Sequence, residues 1–337
     1  MKTLIYIGNK FGVRKGANVS SIDTLGRLFA ESGFKVYSAS AKKNILIRLI
    51  DMLWTCYKYR KQADYVLIDT YSTRNFYYAY FVSVLCKRFK MKYIPILHGG
   101  KLPERLKTSP QFSKRIFQNA YLNIAPSLFT KSKFEALGFS NITCIPNTIE
   151  LKNYPFKNRV FEDMRLLWVR SFSEIYNPLL AVKILKALKD EGIKAELCMV
   201  GPDSDGSLER AKKLANQLDV KVDFTGKLTK EAWIKRSENY NIFMNTTNFD
   251  NMPISVIEAM ALGLPVISTD VGGMPFLIQD KKNGILVKPE SVDAFVESIK
   301  HMVSNKDVTN AIIKEARAYT EMLDWEVIKN HWINVLE

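Results

Sequence analysis

Short apolar runs and stretches of helical periodicity alternate along nearly the whole chain. Runs at Lys2–Gly8, Lys35–Ala39, Tyr65–Asp69, Lys92–Leu97, Tyr121–Ala125 and Ile142–Ile145 read as strands. Helical segments lie between most of them; the first spans Asn18 to Gly33 and stops on glycine. Between Asn147 and Arg159 the pattern lapses, punctuated by Pro146, Asn153 and Pro155. It restarts with runs at Arg165–Val169, Glu196–Gly201, Lys221–Thr225, Asn241–Asn245, Pro265–Ser268 and Gly284–Val287, and the tail from Glu321 to Leu336 reads as a last amphipathic helix. This alternation predicts an α/β protein with parallel sheets covered on both faces. The chain of 337 residues is longer than one ordinary domain. The expected division is 1–150 and 151–320, both Rossmann-like, with the helix at 321–337 packing back on the first. Open parallel sheets bind ligands beyond the carboxyl ends of their strands, so two such domains facing each other would form a cleft.

Composition narrows the class. Apolar residues make up 47% of the chain, enough for two cores. The opening MKTLIYIGNK is too short in its apolar run to serve as a secretion signal, because Gly8-Asn9-Lys10 interrupts it. The nearest candidate for a membrane span, Ile45 to Trp54, carries Arg48 and Asp51. The expectation is a cytoplasmic protein. Cys56, Cys86, Cys144 and Cys198 have no paired spacing and read as reduced thiols; His98, His301 and His331 form no metal-binding pattern. The charge is uneven. Residues 1–150 carry 24 Lys and Arg against 8 Asp and Glu, net +16, whereas residues 151–337 carry 25 against 26, net −1. A basic first half implies an acidic partner: a membrane surface, an anionic substrate or nucleic acid.

Four stretches are candidates for chemistry. The first is the loop Gly8 to Gly16, which includes Gly12 and leads into a helix. Its glycines allow close approach to a phosphate or sugar, but the spacing is not that of a dinucleotide site, and a plain turn fits equally well. The second is His98-Gly99-Gly100 at the end of a strand, where two glycines would leave room for a ligand. The third is Arg170, also at a strand end, whose guanidinium can fork onto a phosphate or make a surface ion pair. The fourth runs from Asp250 to Ser268. A carboxylate, Asp250, precedes a helix that Pro253 begins, and a second, Glu258, lies inside it. Carboxylates accept hydroxyl hydrogen bonds from sugar diols, and free amides at a helix start suit a diphosphate.

Taken whole, this fourth stretch resembles the retaining glycosyltransferases of the GT-B fold, family 4. Their Glu-x7-Glu signature continues into a run matched here by Glu258-Ala259-Met260-Ala261, Gly263, Pro265-Val266-Ile267 and Thr269, then by Val271-Gly272-Gly273-Met274-Pro275 and Asn283-Gly284-Ile285-Leu286-Val287. Ile145-Pro146-Asn147 is similar to the family's strand before its interdomain linker. The resemblance implies that the first domain binds acceptor and the second a nucleotide-sugar donor, a UDP-sugar first, with a GDP- or ADP-sugar as the alternatives. It implies that Glu258 holds the ribose. Asp250 and the amides around Met252, Pro253 and Ile254 would lie at the transferred sugar, Arg170 would neutralise the departing diphosphate, and His98 would reach the sugar from the opposite wall. The glycine loop with Gly12 and Gly16 would line the donor. The family retains anomeric configuration and uses no metal or other cofactor. The chain departs from the pattern in four places. Asp250 stands for the first glutamate, Asn251 for a glycine, and Phe276 for a glutamate; Ile175 stands where a phosphate-binding lysine is usual. Lys227 is the candidate for that missing charge.

The resulting expectation is transfer to a glycan or lipid-linked acceptor in cell-surface polysaccharide synthesis. The alternatives are a UDP-sugar epimerase of the same fold and a nucleic-acid-binding protein; no nucleic-acid motif supports the latter, so nucleic acid is not an expected partner. Lys42 to Lys61 combines cations with Ile45, Leu46, Ile47, Trp54, Tyr57 and Tyr59. Such a helix either lies on an anionic bilayer or packs its apolar side on the sheet. The charge asymmetry favours peripheral contact with the inner membrane face.

Overall fold

The computed structural model describes residues 1–10 and 20–337. They divide into two compact units: residues 1–146 with 328–337, and residues 147–327.

The first unit is built on six parallel strands, β1 (Thr3–Ile7), β2 (Lys35–Ala39), β3 (Tyr65–Thr70), β4 (Tyr93–Leu97), β5 (Asn123–Ala125) and β6 (Ile142–Cys144), ordered β2-β1-β3-β4-β5-β6. Every residue of β3 and β4 is buried, as unbroken apolar runs require when helices cover both faces. The chain moves outward from β1 to β2, then restarts at β3 on the other side. The order therefore reverses between β1 and β3, and there the ends of adjacent strands are left open to a ligand.

The second unit repeats the architecture with β7 (Met164–Val169), β8 (Ala195–Val200), β9 (Val222–Gly226), β10 (Ile242–Asn245), β11 (Val266–Thr269) and β12 (Ile285–Val287), ordered β12-β11-β10-β7-β8-β9. Side chains alternate across the sheet. Leu166 and Trp168 enter the core on one face, whereas Leu167 enters the core on the other, with Val256, Ile257 and Met260. Here the reversal lies between β7 and β10. All twelve strands correspond to runs expected from the sequence.

The tail differs from expectation. The helix thought to begin at Glu321 begins at Trp325 (Trp325–Leu336), after a separate helix Lys306–Glu321. The break has a partner on the interdomain segment. The Leu323 carbonyl accepts from Ile149 N at 3.1 Å and from Thr148 Oγ1 at 2.8 Å, and Trp325 N donates to the Ile149 carbonyl at 2.9 Å. These bonds take backbone groups that a continuous helix would use. Farther on, Trp332 packs edge-on against Phe29 of the first unit, ring centres 5.3 Å apart.

Arg159 explains how two helices of the second unit end. It is buried, and its guanidinium donates to the carbonyls of Ser237, Tyr240, Leu262 and Gly263. These close the helices Lys230–Ser237 and Ile254–Ala261, whose last carbonyls lack partners within the helix. Burial pushes the guanidinium down to about 10, still far above neutrality, so it stays charged. Replacing Arg159 by leucine leaves these carbonyls buried without a donor. The expected loss of stability is ~3 kcal/mol or more, read from urea denaturation of the intact chain; an unchanged midpoint would mean that water satisfies both helix ends.

Candidate functional site

Each reversal point carries a polar cluster. In the second unit, Arg170 directly follows β7, and the segment after β10 carries Asp250. The Arg170 guanidinium pairs with Asp250 Oδ2, reaches Ser255 Oγ at 3.4 Å, and lies 3.9 Å from the centre of the Tyr176 ring. Its Nε is buried and has no partner among the described residues. Both members of the pair are mostly buried, so the attraction is screened less than on an open surface. The turn between β7 and the next helix is tied to the end of β10. Thr246 Oγ1 donates to the Tyr176 and Asn177 carbonyls, and Asn248 N donates to the Ile175 carbonyl at 2.7 Å. Ile175 thus contributes its backbone where the family pattern has a lysine side chain.

The Asp250 loop is held from two sides and by one bond of its own. Asn147 Nδ2 donates to the Met252 carbonyl at 2.9 Å, and Gly273 N donates to the Asp250 carbonyl at 2.9 Å. Asp250 Oδ1 accepts from Asn251 N at 2.8 Å. Glycine is required at 272 and 273. Gly272 has φ +56°, and a Cβ on Gly273 would sit 2.0 Å from the Asn251 carbonyl oxygen. This accounts for the paired glycines of the sequence signature.

The helix Ile254–Ala261 follows, and no side chain caps its start. Pro253 is the residue before the helix rather than its first residue; Met252 is buried in the core, so only its backbone serves the loop. Glu258 lies three residues after Ser255, hence on the same helix face. It is buried, accepts from the Tyr154 hydroxyl at 2.6 Å, and pairs with Lys230 through the same oxygen, Oε1. Burial, followed by the Glu258 charge, pushes the Tyr154 hydroxyl far above its ordinary value and keeps it a donor.

Two residues here escaped the sequence reading. The cation that meets Glu258 is Lys230; Lys227 is exposed on the turn after β9. Lys230 opens the helix Lys230–Ser237, a position where the helix dipole disfavours a cation, and that misfit was the available signal. Tyr154 comes from the irregular interdomain segment and carried no signal. The Asp203-Ser204-Asp205 stretch has structural work. Asp203 Oδ1 accepts from Gly206 N at 3.0 Å, and Asp205 accepts from Ser207 Oγ at 2.5 Å and from Glu174 N at 2.9 Å. These bonds, led by that to Ser207, hold the Asp205 carboxyl down at about 2.

In the first unit, His98 follows β4 and its Nε2 lies 2.8 Å from Oδ1 of Asp69, a buried residue near the end of β3. Tyr6 donates to the same oxygen at 2.9 Å, and the Tyr71 ring stacks on the imidazole, centres 5.4 Å apart. Gly99 does not make room for a ligand. A Cβ there would lie 2.6 Å from Ser72 N, so the glycine serves the approach of two strand ends. Gly12 and Gly16 lie outside the described residues. Among the described residues, no cluster of three or more His, Cys, Asp or Glu gathers as a metal site. The four cysteines are free.

Residues 152–319 match the family model described as Glycosyl transferases group 1. The amylovoran biosynthesis glycosyltransferase AmsK of Erwinia amylovora is 24% identical over 245 residues, covering 68% of this chain and 60% of AmsK. The chain therefore spans less than two thirds of that relative's length. Two solved structures share the fold over nearly their full lengths. Sucrose-phosphate synthase from Thermosynechococcus elongatus superposes with a TM-score of 0.81 at 16% identity, covering 99% of this chain and 98% of that one. Anabaena HepE in complex with UDP-glucose gives 0.78 at 15%, covering 100% and 99%. With its two parallel six-stranded sheets, its GT-B architecture and this match through the second unit, the chain belongs to the group 1 glycosyl transferases.

Proposed function

We propose that the protein transfers a sugar from a nucleotide-sugar donor, with retention of configuration, to a glycan or lipid-linked acceptor. One observation carries this reading. At the reversal point of the second sheet, Arg170 lies with Asp250 and Ser255 at the uncapped start of the helix Ile254–Ala261, and Glu258 follows on the same helix face. A guanidinium and free helix amides suit a diphosphate, and a buried carboxylate suits the ribose diol. Glu258 Oε1 is taken by Tyr154 and Lys230, while Oε2 makes no hydrogen bond to a described residue, leaving it to the ligand. Asp250 would release Arg170 to the phosphates and turn to the sugar, and His98 would contact a sugar. That HepE is seen with UDP-glucose supports UDP-glucose or a similar UDP-sugar as the donor, and the part of AmsK in amylovoran biosynthesis supports a role in cell-surface polysaccharide synthesis.

The acceptor side of this reading includes a membrane. No described helix is long and apolar enough to cross one. The helix Ile45–Tyr59, however, exposes Leu46, Ile47, Ile50, Trp54 and Tyr57, so the packing alternative accounts only for its other side, where Met52 and Cys56 are buried. The neighbouring helix Phe76–Arg88 exposes Tyr77, Phe81 and Val84 at helical spacing. Tyr57 and Phe89 join the two surfaces, ring centres 5.7 Å apart, and Arg60 lies 3.9 Å over Tyr57. From Lys42 to Arg115 the chain carries 16 Lys and Arg against 4 Asp and Glu. An apolar, aromatic surface among cations suits an anionic bilayer, each nearby cation adding about 1 kcal/mol.

Three outcomes test this reading. Glu258→Gln keeps the shape and removes the charge, so UDP affinity by calorimetry should fall about tenfold or more; an unchanged affinity in a folded variant sinks the ribose assignment. Sugar transfer should continue in EDTA, because Arg170 and helix amides meet the diphosphate; loss restored by magnesium or manganese overturns the metal-free reading. The protein should sediment with anionic vesicles, weakly with neutral ones, and leave them as salt is raised. Replacing Lys42, Lys43, Lys58, Arg60 and Lys61 by glutamine should weaken this without changing UDP affinity. Equal behaviour with both vesicles would point to another acidic partner.

A further inference from the structure

The reversal point of the first sheet holds a buried acid that the reading above does not use. Asp69 lies near the end of β3, its side chain 1% exposed, and its Oδ1 meets both the Tyr6 hydroxyl and His98 Nε2. No lysine or arginine among the described residues pairs with it. Its other oxygen, Oδ2, is buried and has no partner among the described residues. That oxygen rests against the bare Cα of Gly8, at the end of β1; a Cβ on Gly8 would come within 2.5 Å of it. The carboxyl group is therefore held in one orientation by the Tyr6 donor on one side and by the glycine surface on the other. Burial and the Asp69 charge push the Tyr6 hydroxyl well above its ordinary value, so Tyr6 remains a donor and takes no proton from its neighbours.

A carboxylate accepts and does not donate. In the neutral imidazole the nitrogen facing Asp69 must then carry the ring proton, and the opposite nitrogen, Nδ1, is left bare. His98 is 9% exposed at its side chain, and Nδ1 bonds to no described residue. Stacking on Tyr71 restrains the ring from turning over. We propose that Asp69 is a positioning residue that fixes the tautomer of His98, so that Nδ1 is presented as a hydrogen-bond acceptor to a sugar hydroxyl. This rests on the reading that His98 meets a sugar; the tautomer itself does not.

The partnerless slot beside Gly8 makes the proposal testable. In Asp69→Asn the amide group has two orientations. With its NH2 beside Gly8, two buried N–H groups lack acceptors. With its oxygen there, the NH2 donates to the Tyr6 oxygen and to His98 Nε2, and a single donor, the Tyr6 O–H, loses its acceptor. The second orientation is favoured, and it forces the His98 proton onto Nδ1.

The experiment is long-range nitrogen-proton NMR on the whole chain labelled at its three histidines, with His98→Gln assigning the His98 signals. The native protein at neutral pH should show a protonated Nε2 and a bare Nδ1 at His98. Asp69→Asn should reverse them. Its kcat for sugar transfer should fall roughly a hundredfold, with UDP affinity within about twofold of native. Gly8→Ala, which displaces the carboxyl group without removing its charge, should lower kcat in the same direction. A native spectrum with the proton on Nδ1 overturns the proposal without need of any variant. So does an Asp69→Asn protein with reversed tautomer and full kcat. A fully active His98→Gln enzyme would instead remove the sugar contact and leave the tautomer assignment standing.

Discussion

Parallel pairing of every strand, with the order reversed once in each sheet, is the constraint from which the rest of this molecule follows. A parallel strand cannot be joined to its neighbour by a tight turn, so each connection returns over a face and all carboxyl ends share one edge. At the reversal, successive connections depart to opposite sides and leave the strand ends open. In the second sheet this happens between β7 and β10, which carry Arg170 and the Asp250 segment. In the first it happens between β1 and β3, which carry Gly8 and Asp69, with His98 just after β4. The polar clusters are placed by topology, and their chemistry is supplied by a few residues at each edge.

Charge is handled differently in the two clusters. Asp250 is met by Arg170, and Glu258 by Lys230 together with Tyr154. Such pairs are costly to bury and strongly destabilising to break. They are also exchangeable, since a diphosphate offers Arg170 the same bidentate geometry that a carboxylate does. Among the described residues no lysine or arginine pairs with Asp69, which meets the Tyr6 hydroxyl and the His98 imidazole. A negative charge held there acts on His98 without competition from any described cation.

Close backbone approach is the second recurring device. Gly273 lets the chain pass under Asn251, and Gly8 lets Asp69 reach the end of β1. In both places a methyl group would fill space that the functional side chain or its loop occupies. Arg159 serves the same end by another route. It gathers the ends of two helices onto one buried guanidinium, and so fixes the helix that carries Ser255 and Glu258.

Strand positions, the parallel class and the family are legible in the sequence because each depends on local periodicity or on a contiguous motif. The run from Asp250 to Gly273 is one loop, one helix and one strand, and its neighbours in sequence are its neighbours in space. Arg170 was legible for a related reason, since a strand end is recognisable wherever it occurs. What the sequence left open were pairings between distant elements. Lys227 and Lys230 are equivalent in composition and spacing, and only the docking of the helix Lys230–Ser237 beside Glu258 selects the second. Tyr154 sits in an irregular segment, 104 positions from the carboxylate it bonds. Asp69 read as the last residue of an apolar run; its function as a partner for His98 and Tyr6 exists only once β1, β3 and β4 lie side by side. The exposure of the face on Ile45–Tyr59 was likewise undecidable from periodicity, because an apolar stripe fits a sheet and a bilayer equally well until packing shows which side the sheet has taken.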